Sequence, residues 1–132
     1  MEQARIVCVA DDDVQMRGMI CKMLAQRGYK TVEAADGREA LRQVADAGAR
    51  MIVLDIVMPN SEGLETIPQL KERFPATRIL AISGGGNVGD GRAYLDQASL
   101  LGADDTLLKP FEMAALITKV EALAGPARSA PT

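Results

Sequence analysis

Histidine is absent from all 132 residues. With it go the commonest general base and the commonest transition-metal ligand. Serine–histidine and cysteine–histidine catalysis cannot be assembled within this chain. Any metal must be held by oxygens, which favours Mg²⁺, Mn²⁺ or Ca²⁺ over Zn²⁺. Tryptophan is missing too, and aromatics make up only 3% of the residues, so the core must be built from Val, Ile, Leu, Ala and Met. The two cysteines, Cys8 and Cys21, fit no zinc or redox spacing and read as small buried hydrophobes. Net charge is −3 and Lys/Arg clusters are lacking, so nucleic-acid binding by charge is not expected. No stretch approaches the ~20 apolar residues of a membrane span, and the N-terminus lacks a signal-peptide pattern. No membrane contact is expected, and a cytoplasmic location is the default.

What is present is a fivefold alternation of strand and helix patterns. Short apolar runs bounded by turn signals read as buried strands of a parallel sheet. They are Arg5–Ala10, Lys30–Ala34, Arg50–Leu54, Thr77–Ile82 and Asp104–Leu108. The polar content of the second places it near an edge, and the apolar third is central. Helices are predicted at about 13–26, 36–47, 62–74, 90–101 and 111–124. The first should turn Met16, Met19, Ile20, Met23 and Leu24 inward and stop at Gly28; the second should be capped by Asp36 and stopped by Gly48. Pro68 interrupts the third pattern and predicts a kink or a late start. Five βα units make a doubly wound sheet with helices on both faces. The fold is read as one domain over residues 1–124, with a disordered Pro/Ala/Ser-rich tail at 125–132.

Four polar signals each follow an apolar run: Asp11-Asp12-Asp13, Asp55, Ser83 and Lys109-Pro110. In open parallel sheets, reactive groups collect beyond the carboxyl ends of the strands, so these groups should meet at one edge. Two carboxylates about 4 Å apart repel by roughly 4 kcal/mol at an effective dielectric near 20. Clustered acids therefore call for a cation, and a hydroxyl and an amine beside them suit a phosphoryl group. The triplet Gly84-Gly85-Gly86 is not followed by Gly-Lys-Ser/Thr, which excludes a nucleotide phosphate loop.

With these positions laid out, the chain resembles the receiver domain of two-component response regulators. The motifs that carry the likeness are V-A-D-D-D at 9–13, L-D-I-V-M-P at 54–59 with Gly63, A-I-S-G at 81–84 and L-L-K-P-F at 107–111. The resemblance covers about residues 4–124. It implies a flavodoxin-like sheet of order 2-1-3-4-5 with five helices. It also implies Asp55 as phosphoacceptor, and Mg²⁺ (or Mn²⁺) bound by Asp11, Asp12, Asp55 and the carbonyl of Val57. Ser83 and Lys109 would stabilise the phosphoryl group. The implied partners are a histidine kinase or histidine phosphotransfer protein and an unidentified downstream protein target. Which two of Asp11–Asp13 serve is a question of register; the first two follow the strand directly, which leaves Asp13 to cap the first helix.

The sequence departs from the family at several points. Thr106 stands where many receivers carry a switching Tyr or Phe, and Val57 and Gly85 offer no polar side chain to orient water. Gly84–Gly91 holds five glycines in eight residues, which lengthens the fourth loop and reads either as a mobile segment that orders when Ser83 engages a phosphoryl group or as a tolerated surface insertion. The expected switch region is Ser83, Gly84, Gly85 and Thr106, with Thr106 unable to act as an aromatic rotamer switch. An enzymatic alternative is a haloacid-dehalogenase-type phosphatase using Asp11 and Asp13 as its D-x-D pair. It leaves Asp55 without a role, and Asp104-Asp105 precedes Lys109 rather than following it. A third alternative is an interaction module that keeps the fold without the phosphorylation. With no output domain visible in the sequence, a single-domain receiver is expected.

Overall fold

The computed structural model describes residues 5–57, 63–84 and 91–125. Strand and helix alternate through β1 (Ile6–Ala10), α1 (Val14–Gln26), β2 (Lys30–Ala34), α2 (Gly37–Ala47) and β3 (Met51–Asp55). They continue through α3 (Gly63–Arg73), β4 (Arg78–Gly84), α4 (Gly91–Leu101), β5 (Asp105–Lys109) and α5 (Met113–Ala124). All strand pairs are parallel, in the order β2-β1-β3-β4-β5. Strand β3 is buried along its whole length at the centre, and β2 lies at an edge with exposed Lys30 and Glu33. Both positions agree with the polarity of their sequences.

The pleat sends alternate residues to opposite faces. Cys8, Ala10, Ile52, Leu54, Ile79 and Ala81 pack with residues of α2, α3 and α4, including Leu41, Val44, Ile67, Leu70 and Leu95. Val7, Val9, Met51, Val53, Leu80 and Ile82 pack on the other face with Ile20, Leu24, Leu116 and Val120 of α1 and α5. Both cysteines are buried, and burial pushes the Cys8 thiol up to about 12. Asp13 and Asp36 cap α1 and α2, and Gly48 adopts the left-handed conformation that ends α2.

Three differences from the sequence reading concern helices. In α1, Met19 is half exposed, while Cys21 joins Ile20 and Leu24 inside. Apolar residues occur nearly all round this helix, so their spacing alone does not fix which stripe is buried. Helix α3 spans Gly63–Arg73 with Pro68 inside it, so of the two expectations for Pro68 the late start does not occur. Helix α5 starts at Met113, two residues after the predicted Phe111. The strand ends also differ. Asp55, Ser83, Gly84 and Lys109 are ladder residues, not loop residues: Asp55 pairs with Ile82, Ser83 with Leu108 and Gly84 with Lys109. The predicted loop segment 85–90 and the tail beyond Gly125 lie outside the described residues.

Candidate functional site

The carboxyl ends of β1, β3, β4 and β5 meet at one edge of the sheet. Asp11 directly follows β1 and is fully buried; its N–H donates to the Ala34 carbonyl at 3.0 Å. Its Oδ1 accepts the Asp13 N–H at 2.9 Å, and its Oδ2 accepts Lys109 Nζ at 3.1 Å. Asp13 Oδ1 is engaged elsewhere, accepting the N–H groups of Gln15 and Met16 at the start of α1. Asp12 is exposed, and its carboxylate meets no donor among the described residues.

Asp55 closes β3 with its carboxylate held at both oxygens. The Val57 N–H donates to Oδ1 at 2.9 Å and Lys109 Nζ to Oδ2 at 3.1 Å. One ammonium thus bridges two buried acids. Burial is the largest influence on Asp55 and pushes its carboxyl up to about 6, with Asp11 adding to the rise; the Val57 N–H and Lys109 pull the other way. Burial works against the charge of Lys109, but Asp55 and Asp11 outweigh it and hold the ammonium above its ordinary value.

Ser83 is buried on β4, and its hydroxyl has only a 3.5 Å approach to the Gly84 carbonyl. At that length the bond is weak, so the hydroxyl is free to take a better partner. Thr106 lies in β5, half-buried, with its N–H on Asp105 Oδ1 at 2.8 Å. Gly63, at the start of α3, presses on the β3 exit. A Cβ there would collide with Ile56 Cα and stand 2.7 Å from the Asp55 carbonyl oxygen. Of the residues singled out from sequence, Gly85 lies outside the described residues. Asp11, Asp12 and Asp55 each bring one carboxylate oxygen to within 4.8 Å of the others.

The donor set fits a hard divalent cation. It consists of carboxylate oxygens, those of Asp12 meeting no donor among the described residues, with one described lysine, Lys109, shared by Asp11 and Asp55. Mg²⁺ takes few carboxylates and keeps waters, which suits such a partly open group.

The sequence reading missed Arg17 and Glu33. Arg17 Nη1 donates to the Asp11 carbonyl at 2.8 Å, and its Nε donates to Glu33 Oε1, also at 2.8 Å. The available signal was Arg17 itself, the only basic residue in the first two turns of α1. The pairing with Glu33 depends on β2 lying beside β1, which no local pattern states.

A doubly wound parallel sheet with an acid after β1, an acid ending β3 and a lysine ending β5 defines a receiver-type fold and edge. The sequence profile of the response regulator receiver domain matches residues 7–121. The chain belongs to this family, whose members act in two-component signalling and are signalling proteins rather than classical enzymes. It is 37% identical over 117 residues to the response regulator MprA of Mycolicibacterium vanbaalenii, covering 89% of this chain and 49% of that protein. Among solved structures, the receiver domain of NtrX from Brucella abortus superposes with a TM-score of 0.80 at 31% identity, covering 89% of this chain and 97% of that one. The chemotaxis protein CheY4 of Vibrio cholerae gives 0.79 at 27% identity, with 92% and 99% covered. The chain spans about half the length of the curated relatives it matches.

Proposed function

We propose that Asp55 accepts a phosphoryl group from a phosphohistidine on a partner histidine kinase or phosphotransfer protein, and that the modified domain binds a downstream protein differently. The observation that carries this is the Lys109 ammonium bridging Asp11 and Asp55 at 3.1 Å each, beside the unengaged Asp12. An ionised carboxylate is already a nucleophile, so a chain without histidine needs no general base. A carboxylate oxygen of Asp55 bonds to phosphorus as the phosphorus–nitrogen bond of the donor breaks, and the electron pair leaves with the imidazole. Lys109 then exchanges its contact with Asp55 for one with a phosphoryl oxygen, and Ser83 offers its free hydroxyl to another. Asp11, Asp12, Asp55 and the Val57 carbonyl are the residues assigned to Mg²⁺, with Mn²⁺ as a substitute. When bound, the cation neutralises charge spreading over the phosphoryl oxygens.

A cytoplasmic location and a folded unit ending near residue 124 belong to the same reading and rest on the family. The phosphatase reading is disfavoured because Asp13, the second acid of its D-x-D pair, is spent on capping α1. Incubation with acetyl phosphate or phosphoramidate and Mg²⁺ tests the proposal by mass spectrometry. The native chain should gain one alkali-labile phosphoryl group, and Asp55→Asn should gain none. Equal uptake by Asp55→Asn would remove Asp55 as acceptor, and steady turnover of a generic phosphate ester would favour the phosphatase.

A further inference from the structure

The turn that carries the acids is fastened by one residue of α1. The Arg17 N–H donates to the Asp13 carbonyl at 2.9 Å and closes the first helical turn. Its guanidinium folds back over the same turn, with Nη1 on the Asp11 carbonyl and Nε on the Glu33 carboxylate of β2. The Arg17 side chain is only 16% exposed, while Glu33 is 52% exposed, so the fork is held from the protein side and neutralised from the solvent side. Asp11 and Asp13 are otherwise tied to Ala34, Lys109 and the α1 amides, which leaves Asp12 to move with the turn that Arg17 holds.

We propose that Arg17 is a positioning residue for the cation site: its planar fork fixes the turn 11–13 so that Asp11 and Asp12 present their carboxylates together, and Glu33 offsets its charge. This rests on the proposal that the site takes Mg²⁺. Two effects of Arg17 oppose each other, and their signs separate them. A fixed positive charge beside a cation site weakens binding by repulsion, so removing it would tighten binding if charge were all that mattered. A residue that orients ligands from behind has the opposite sign, and losing such a residue weakens metal binding by about 10- to 100-fold. Lysine keeps the charge but offers one compact donor group in place of a fork, so it cannot span both the Asp11 carbonyl and Glu33.

The test is calorimetric titration of Mg²⁺ into the native chain, Arg17→Met, Arg17→Lys and Asp12→Asn. Alongside it, hydrogen exchange is measured at the Asp13 amide in metal-free protein. The native chain should bind and Asp12→Asn should not. Arg17→Met and Arg17→Lys should both remain folded and bind about tenfold more weakly, with faster exchange at Asp13, whose N–H rests on Asp11 Oδ1. Unchanged or tighter binding by folded Arg17→Met, or native affinity in Arg17→Lys, would overturn the positioning role while leaving the cation site intact. If Arg17→Met does not fold, Arg17→Lys decides. Absence of Mg²⁺ binding by the native chain would overturn the cation site itself, and this inference with it.

Discussion

At the scale of single residues, the candidate site is a compromise between burial and charge. Asp55 is 4% exposed, and a native carboxyl that titrates at about 6 instead of 3.8 binds its proton more tightly when folded than when unfolded. Its ionisation therefore weakens the metal-free fold as pH rises from about 4 to 6, and the penalty stands in full above pH 6. Asp55→Asn carries no such penalty. In urea unfolding with chelator present, the stability of Asp55→Asn relative to the native chain should increase by about 2–3 kcal/mol between pH 4 and pH 7. A difference independent of pH would show that Asp55 is not ionising in a buried setting. The acids, Asp55 and Lys109 were legible in the sequence because each interrupts the end of an apolar run. Arg17 was not, because its partners are a carbonyl six residues back and a carboxylate on the neighbouring strand.

At the scale of elements, the parallel strands were legible because burial on both faces leaves continuous apolar runs. Helix ends were legible where a cap has its own chemistry, as at Asp13, Asp36 and Gly48. Strand ends were read one or two residues short at β3, β4 and β5. Ladder pairing continues beneath polar side chains, whereas the reading tracked apolar character. The junction of β3 and α3 rests on Gly63. Gly63→Ala should cost about 1–3 kcal/mol from overpacking, and it should slow phosphoryl uptake by displacing the backbone at Asp55. Gly84→Ala is the contrast: its nearest neighbour among the described residues would be Lys109 Cδ at 3.5 Å, an ordinary contact. A strand glycine replaced by alanine without a clash gains roughly 0.5–1 kcal/mol. Urea midpoints for the pair should therefore move in opposite directions, and parallel losses would show that both positions are crowded.

At the scale of the whole molecule, the question is how a change at Asp55 reaches a surface. Helix α4 comes after β4 in the chain and presents Tyr94, Leu100 and Leu101 to solvent, with Leu100 88% exposed. It is the apolar surface next in sequence after Ser83. Thr106 has no ring to reorient, so the switch we propose runs through Ser83 and the glycine-rich segment after it. Hydrogen exchange with and without a beryllofluoride phosphoryl mimic should show protection rising from Ser83 into that segment and little change at Thr106. Ser83→Ala should lose that rise while still accepting phosphoryl at Asp55. Equal exchange in both states would leave the fold as a docking module without this switch.

The ladder membership of Asp55, Ser83 and Lys109 also has a mechanical consequence. Each Cα is paired across the sheet, so none can travel far without opening backbone hydrogen bonds among β3, β4 and β5. The sheet edge is an anvil. The proposed phosphoryl group would have to be shaped to this edge, with any displacement carried by side chains such as Ser83 and Lys109 rather than by the strand backbone. If Asp55 is the acceptor as proposed, the strand ends supply a fixed chemical geometry, and substitutions outside the ladder are expected to alter the response more than the transfer.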